Sequence, residues 1–201
     1  MKILVIGAAG TIGSAIVKNL QIDAEIITAG MHSGDYKIDL SDHASIQAAF
    51  DAIGTLDAVV VAAGAPTVFK HASEMQIADY VFSFQYKLLG QLDVALAAVP
   101  MLNDGGSITL TSGVLNRDFI KHGSAAAVVN AAVEAFVQST AWEMPRAIRI
   151  NVVSPCLLEE SAEKYAAYFP GFPTVPSAAV AQAYRKSIYG IQTGQIYRIG
   201  G

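Results

Sequence analysis

The sequence predicts an α/β fold: one domain built on a doubly wound parallel sheet of about seven strands, with helices on both faces. Three observations carry this. Apolar runs and helical patterns alternate from end to end, which implies right-handed strand–helix–strand crossovers. The chain is 53% hydrophobic and only 15% charged, as suits strands buried on both faces. A turn with three glycines at regular spacing, Gly7-Ala-Ala-Gly10-Thr-Ile-Gly13, follows the first apolar run and opens the first helix. The length of 201 residues suffices for one domain with a full core, so the whole of 1–201 is expected to be a single nucleotide-binding unit.

The elements follow in order. Lys2 to Ile6 is a strand, and a helix runs from the glycine turn to about Leu20. Ala24 to Thr28 is the second strand, and Tyr36 to Asp39 a candidate third. Ser41 is an N-cap candidate for a helix reaching about Ala52. Leu56 to Val61 is a Val-rich strand. A long helical pattern covers about 74–98 and is stopped by Pro100. Asn103-Asp-Gly-Gly106 reads as a turn, and Ser107 to Thr111 as a strand. Gly123 to Met144 is helical, stopped by Pro145. Ala147 to Val153 is a strand, Ser177 to Ile188 a helix starting at a capping serine, and Gln195 to Ile199 the last strand.

Composition excludes several classes. A net charge of −4 with scattered Lys and Arg gives no footprint for nucleic acid. The uncharged stretch from Ala58 to Phe69 is too short to cross a bilayer and holds Gly64 and Pro66. The opening Met-Lys followed by an apolar run resembles a signal peptide, but its glycine spacing fits a phosphate turn better. One cysteine, Cys156, allows no internal disulfide framework and fits a reducing cytoplasm. No residue is assigned to a metal.

The glycine turn is the strongest local signal. One glycine lets the backbone take positive φ, another lets a diphosphate approach closely, and the helix N-terminus offers unpaired N–H groups to the anion. Gly7, Gly10, Thr11, Ile12 and Gly13 are therefore the candidate diphosphate-binding residues, in a Rossmann-type arrangement. A carboxylate ending the second strand would bind a ribose 2′-hydroxyl and favour NAD. Here Thr28-Ala-Gly-Met-His-Ser33 carries none. A 2′-phosphate would not be repelled, and His32 and Ser33 can donate to it. The expectation is NADP, with NAD still possible; His32 and Ser33 read equally as a plain polar loop.

Further segments resemble one family in order. Asp39-Leu40-Ser-Asp42 resembles its adenine-contacting stretch. Val61-Ala62-Ala63-Gly64 resembles the Asn-Ala-Gly segment after its fourth strand. Thr109-Leu-Thr-Ser112 resembles the strand ending in its catalytic serine. Ala131-Ala-Val-Glu-Ala-Phe136 resembles the helix after its Tyr-x-x-x-Lys motif. Arg149 to Pro155 and Gly194 to Gly201 resemble its last two strands. The chain thus resembles the short-chain dehydrogenases/reductases over essentially its whole length, as a divergent member without Tyr-x-x-x-Lys.

That resemblance implies roles and also gaps. It implies that Ser112 polarises a carbonyl. The family's proton-donating tyrosine falls on Ala126, which has no proton to give, and its lysine on Asn130, which can bond a ribose hydroxyl without charge. The family's helical asparagine falls on Lys87. Lys87 is read either as the missing positive charge beside the site or as a snorkelling surface lysine. Asp39, Leu40, Ala62, Ala63, Gly64 and Pro155 complete the implied cofactor contacts. A replacement proton donor is open among Lys87, His122, Tyr165, Tyr168 and water. Cys156 reads as an apolar filler or a thiol near the nicotinamide.

The expected function is NADP(H)-dependent oxidation or reduction of a small alcohol or carbonyl compound, with Ser112, Lys87 and Asn130 as candidate catalytic residues. The alternative is a catalytically silent nucleotide-binding module, a sensor or partner subunit. Isomerisation or lyase chemistry on a bound sugar nucleotide is a third option with no residue behind it. A homodimer or homotetramer paired through the two long helices is expected, in the cytoplasm.

Overall fold

The computed structural model describes residues 1–64 and 66–201. Seven strands form one wholly parallel sheet: β1 (Lys2–Ile6), β2 (Glu25–Gly30), β3 (Tyr36–Lys37), β4 (Leu56–Val61), β5 (Leu102–Thr111), β6 (Arg149–Pro155) and β9 (Ile196–Ile199). Their order is β3-β2-β1-β4-β5-β6-β9. The direction of winding reverses between β1 and β4, paired from Ile3↔Ala58 to Ile6↔Val61. That reversal opens a crevice at the carboxyl edge, where such folds bind ligands.

Side chains alternate along each strand and build two cores. Leu4, Ile6, Val59, Val61, Ile108, Leu110 and Val152 meet α2 (His43–Ile53), α4 (Gly90–Ala98) and α5 (Ser124–Thr140) on one face. Ile3, Val5, Val60 and Val153 meet α1 (Thr11–Leu20) and α7 (Ser177–Tyr189) on the other. Full burial on both faces explains the unbroken apolar runs.

Local chemistry set several boundaries differently from the sequence reading. The second helix is capped by Asp42, which accepts from the Ala44 N–H at 3.0 Å. The hydroxyl of Ser41 is instead bound to Asp39 at 2.7 Å. The expected helix over 74–98 starts at Ile77, where Gln76 and Asp79 form a reciprocal cap. It runs as α3 (Ile77–Ser83), widens into a π-turn over Phe84–Leu89, and continues as α4. The helix expected to reach Met144 leaves α-geometry after Thr140, because Pro145 disfavours helical backbone before it. Ser177 is the first helical residue rather than the cap; Pro176 holds the cap position, and Glu160 accepts from the Ser177 N–H at 3.0 Å. Residues 103–106 bulge outward between the pairs Leu56↔Leu102 and Ala58↔Ser107, with Gly105 at φ 73°.

The segment between β6 and α7 forms a small cap over the crevice. It consists of a two-stranded parallel ribbon, β7 (Leu157–Leu158) and β8 (Thr174–Val175), with α6 (Glu159–Tyr165) between them. Strands of two residues leave no periodicity to read, so this cap was not expected from the sequence.

Candidate functional site

The glycine turn is a cradle closed to side chains. Gly7 has φ 86°, and a Cβ there would lie 2.5 Å from the Ala63 backbone. A Cβ on Gly13 would lie 2.0 Å from the Gly7 carbonyl oxygen. A Cβ on Gly10 would meet nothing nearer than the Gly7 oxygen at 3.4 Å. The protein therefore fills the space around Gly7 and Gly13 and leaves it open above Gly10, at the N-terminus of α1. That is the shape an anion-binding turn needs.

Two cavities lie along the carboxyl edge. The first, about 260 Å³, is lined by Gly7, Gly10, His32, Ser33, Leu40, Ala63 and Gly64, with Tyr86 of the π-turn as a further wall. The structure thus brings seven of the expected cofactor residues together. A groove beside it is lined by Ser14, Lys18 and Ser33; Lys18 was not singled out from the sequence. The carboxylate of Asp35 is turned back onto the Thr28 N–H and hydroxyl, at 2.9 and 2.8 Å. Those bonds hold its pKa below the usual carboxylate value. Asp39 is likewise engaged by Ser41, whose N–H and hydroxyl lower its pKa. Thr11, Gly13, Asp39 and Ala62 do not line this cavity.

The second cavity, about 780 Å³, combines Ile12 of α1 with Ser112, Gly113, Pro155 and Cys156 at the ends of β5 and β6. Its outer wall is largely apolar and comes from Phe69, Ile120, Leu158 and Phe169. His71, His122, Tyr165 and Tyr168 are among its polar groups, with Lys70, Glu74 and Ser161.

Ser112 lines this cavity, but its hydroxyl donates to Glu134 at 2.8 Å, and both residues are buried. Glu134 was not expected at the site; its only signal was its place one turn beyond Asn130 on the same helix face. Asn130 donates through Nδ2 to the Gly113 carbonyl at 3.1 Å. Its Oδ1 is buried and has no hydrogen-bond partner among the described residues. An unmet buried acceptor costs about 1–3 kcal/mol; Asn130 itself lines neither of the two cavities.

Lys87 lies in the π-turn on the same helical face as Ser83 and Gln91. The Ser83 hydroxyl accepts from the Val68 N–H in the loop after β4. Gln91 bonds both main-chain groups of Thr111 at the end of β5, and also donates to the Lys87 carbonyl. Lys87 shares that face but lines neither of the two cavities. Desolvation lowers its pKa to about 8. Ala126 is 2% exposed and packs among apolar neighbours.

A family model described as enoyl-(acyl carrier protein) reductase matches residues 7–191. The chain belongs to the short-chain dehydrogenase/reductase family. A search of curated proteins finds no match. Among solved structures, this dehydrogenase/reductase is similar to the protein lin1944 from Listeria innocua, at 46% identity over 99% of both chains, with a TM-score of 0.97. It is also similar to a small-chain dehydrogenase in complex with NADPH, at 27% identity over 99% of this chain and 96% of that one, with a TM-score of 0.88. A 3-hydroxyacyl-CoA dehydrogenase type-2 from Mycobacterium avium shares the fold at 21% identity and a TM-score of 0.83, over 98% of this chain and 92% of that one.

Proposed function

We propose that the protein is an NADP(H)-dependent oxidoreductase acting on a small, largely apolar carbonyl or alcohol substrate. The observation that carries this reading is the 780 Å³ cavity, in which Ile12 of the phosphate turn shares walls with Ser112 and Pro155. One ligand can thus lie on the glycine cradle and reach the carboxyl ends of β5 and β6. When bound, the nicotinamide cofactor supplies or accepts the hydride. Gly7, Gly10 and the N-terminus of α1 hold its diphosphate. Asn130 accepts from a ribose hydroxyl through its unpaired Oδ1, and Lys87 supplies the positive charge that Asn130 lacks. Ser112, held by Glu134, orients the substrate oxygen. A 2′-phosphate suits the adenosine end, because Asp35 and Asp39 are turned aside and His32, Ser33 and Lys18 are donors; the neighbour solved with NADPH supports the choice.

In this reading the whole of 1–201 is one cofactor-binding domain, working in the cytoplasm. It works as a homodimer or homotetramer paired through the π-turn, α4 and α5, where Leu89, Leu96 and Val128 expose apolar surface. Among the described residues, no helix is long and apolar enough to cross a membrane.

The test is titration with NADPH and NADH, followed by absorbance assays on a panel of small aryl and alkyl ketones and aldehydes. Micromolar NADPH binding with turnover of at least one carbonyl supports the proposal. Tight binding with no turnover refutes it and favours the second reading, a silent nucleotide-binding module. That reading draws on Ala126 and on the commitment of the Ser112 hydroxyl to Glu134.

A further inference from the structure

Reduction of a carbonyl needs a proton as well as a hydride, and Ala126 gives none. We propose that His122 is the catalytic acid that delivers this proton to the substrate oxygen. The inference rests on the oxidoreductase reading above and names the group that reading lacks.

Three observations converge on His122. It lines the same cavity as Ser112, Gly113 and Pro155, one helical turn upstream of Ala126 in the loop that leads into α5. Its backbone is left-handed, with φ 65°. The other left-handed non-glycine residues, Arg146 and Ala147, lie before β6, at the opposite edge of the sheet. Left-handed backbone costs a non-glycine residue roughly 1–2 kcal/mol, and histidine, with asparagine and aspartate, is among the residues that occupy it most often. At His122 it turns the loop so that the side chain joins the wall of the cavity. The third observation is a partner across the cavity. His71, in the loop between β4 and α3, meets the His122 ring edge-on, with centroids 5.8 Å apart and planes at 60°. Nδ1 of His71 is fixed by the Ser73 hydroxyl at 2.7 Å.

Other ionisable groups face the same space. Lys70 and Glu74 flank His71, Cys156 lies at the ends of the strands, and Tyr165 and Tyr168 come from the cap. Lys121 precedes His122 and points to solvent. Lys70 is engaged by Asp79 at 2.7 Å. The two tyrosines are 38% and 53% exposed, and a phenol is intrinsically an acid weaker than imidazolium by roughly three orders of magnitude. An imidazolium is ready to donate near neutral pH.

The step balances. The carbonyl carbon takes the hydride, and its oxygen takes the N–H proton of the His122 imidazolium. The products are the alcohol and a neutral imidazole, which is reprotonated from solvent.

The test uses His122→Asn and His122→Gly, since both residues accept positive φ and keep the loop. Both should bind NADPH within about twofold of the native affinity while kcat falls about 10²–10³-fold. The native decline in kcat as pH rises past neutrality should flatten in both variants. Free imidazole should restore part of the turnover of His122→Gly. Native kcat and pH profile in either variant would overturn the proposal. So would a joint loss of turnover and NADPH affinity without rescue by imidazole, which marks a structural role. Failure of the broader reading looks different: the native protein itself turns over no carbonyl, and both conclusions then fall together.

Discussion

Alanine at Gly10 and alanine at Gly13 should have opposite consequences, although both enlarge the same turn. Gly10 is the N-cap of α1, with φ −78° and ψ 170°, which alanine adopts freely. Its new Cβ would lie 3.4 Å from the Gly7 oxygen, an ordinary contact. Replacing glycine stiffens the unfolded chain and stabilises by about 0.4–1 kcal/mol. Alanine is the poorer N-cap by about 0.5 kcal/mol. The two effects nearly cancel, so Gly10→Ala should melt within about 2 °C of the native protein. Its methyl group stands in the open space over the helix N-terminus, so NADPH affinity should fall by tenfold or more, about 1.4 kcal/mol. At Gly13 the Cβ would sit 2.0 Å from the Gly7 oxygen and 2.7 Å from its carbonyl carbon. Backbone must move by about 1 Å to relieve this, an overpacking cost of about 3 kcal/mol and a drop of about 6–12 °C. Thermal melts and NADPH fluorescence titrations on the two variants decide the matter. Equal losses of stability in both, or native NADPH affinity in Gly10→Ala, would refute the division of labour between the glycines.

Other outcomes follow from the same geometry. Lys87→Met should stabilise the cofactor-free protein at pH 7. The folded-state pKa is depressed to about 8, so the native lysine penalises folding wherever it must be charged, and that penalty fades as pH rises from about 8 toward 10.4. Denaturation at pH 7 and pH 10 measures this, and a gain that does not change with pH would contradict it. Glu160→Gln should lower the melting temperature at neutral pH. The Ser177 hydroxyl holds the Glu160 pKa below its ordinary value, so the difference should shrink as pH falls through the ordinary glutamate range and below it; a constant difference down to pH 3 would count against it. Val128→Glu combined with Leu89→Glu, both on exposed positions of the helical face, should convert a dimer or tetramer to monomers in light scattering. An unchanged mass would place the interface elsewhere.

The architecture was legible because its physics is local. Parallel strands buried on both faces need continuous apolar runs, and Leu56 to Val61 supplies one. The cradle was legible because Gly7, Gly10 and Gly13 lie within seven residues of one another. What escaped the sequence depends on partners far along the chain. Ser41 and Asp42 are equally good caps until Asp39 occupies the serine. Ser112 reads as a free hydroxyl until the fold sets Glu134 against it, 22 residues on. Lys87 reads rather more as a surface lysine than as a site lysine, and its burial, which lowers its pKa, is set by packing the sequence does not show. His71 and His122 are 51 positions apart in the sequence, and nothing in either neighbourhood announces that their rings meet.

The widened turn over Phe84–Leu89 also bears on how this protein can change. It behaves as one residue more than a straight helix requires, and one residue of α-helix is about 100° of rotation. Upstream of it, Tyr80 is aimed at Ser124 and Ser83 at Val68; downstream, Gln91 is aimed at Thr111. A straight helix satisfies one of these sets or the other. Deleting a single residue here would turn one wall of the cleft by a quarter circle or more while leaving every side chain intact. In this stretch, gaining or losing one residue reshapes the site more than any substitution.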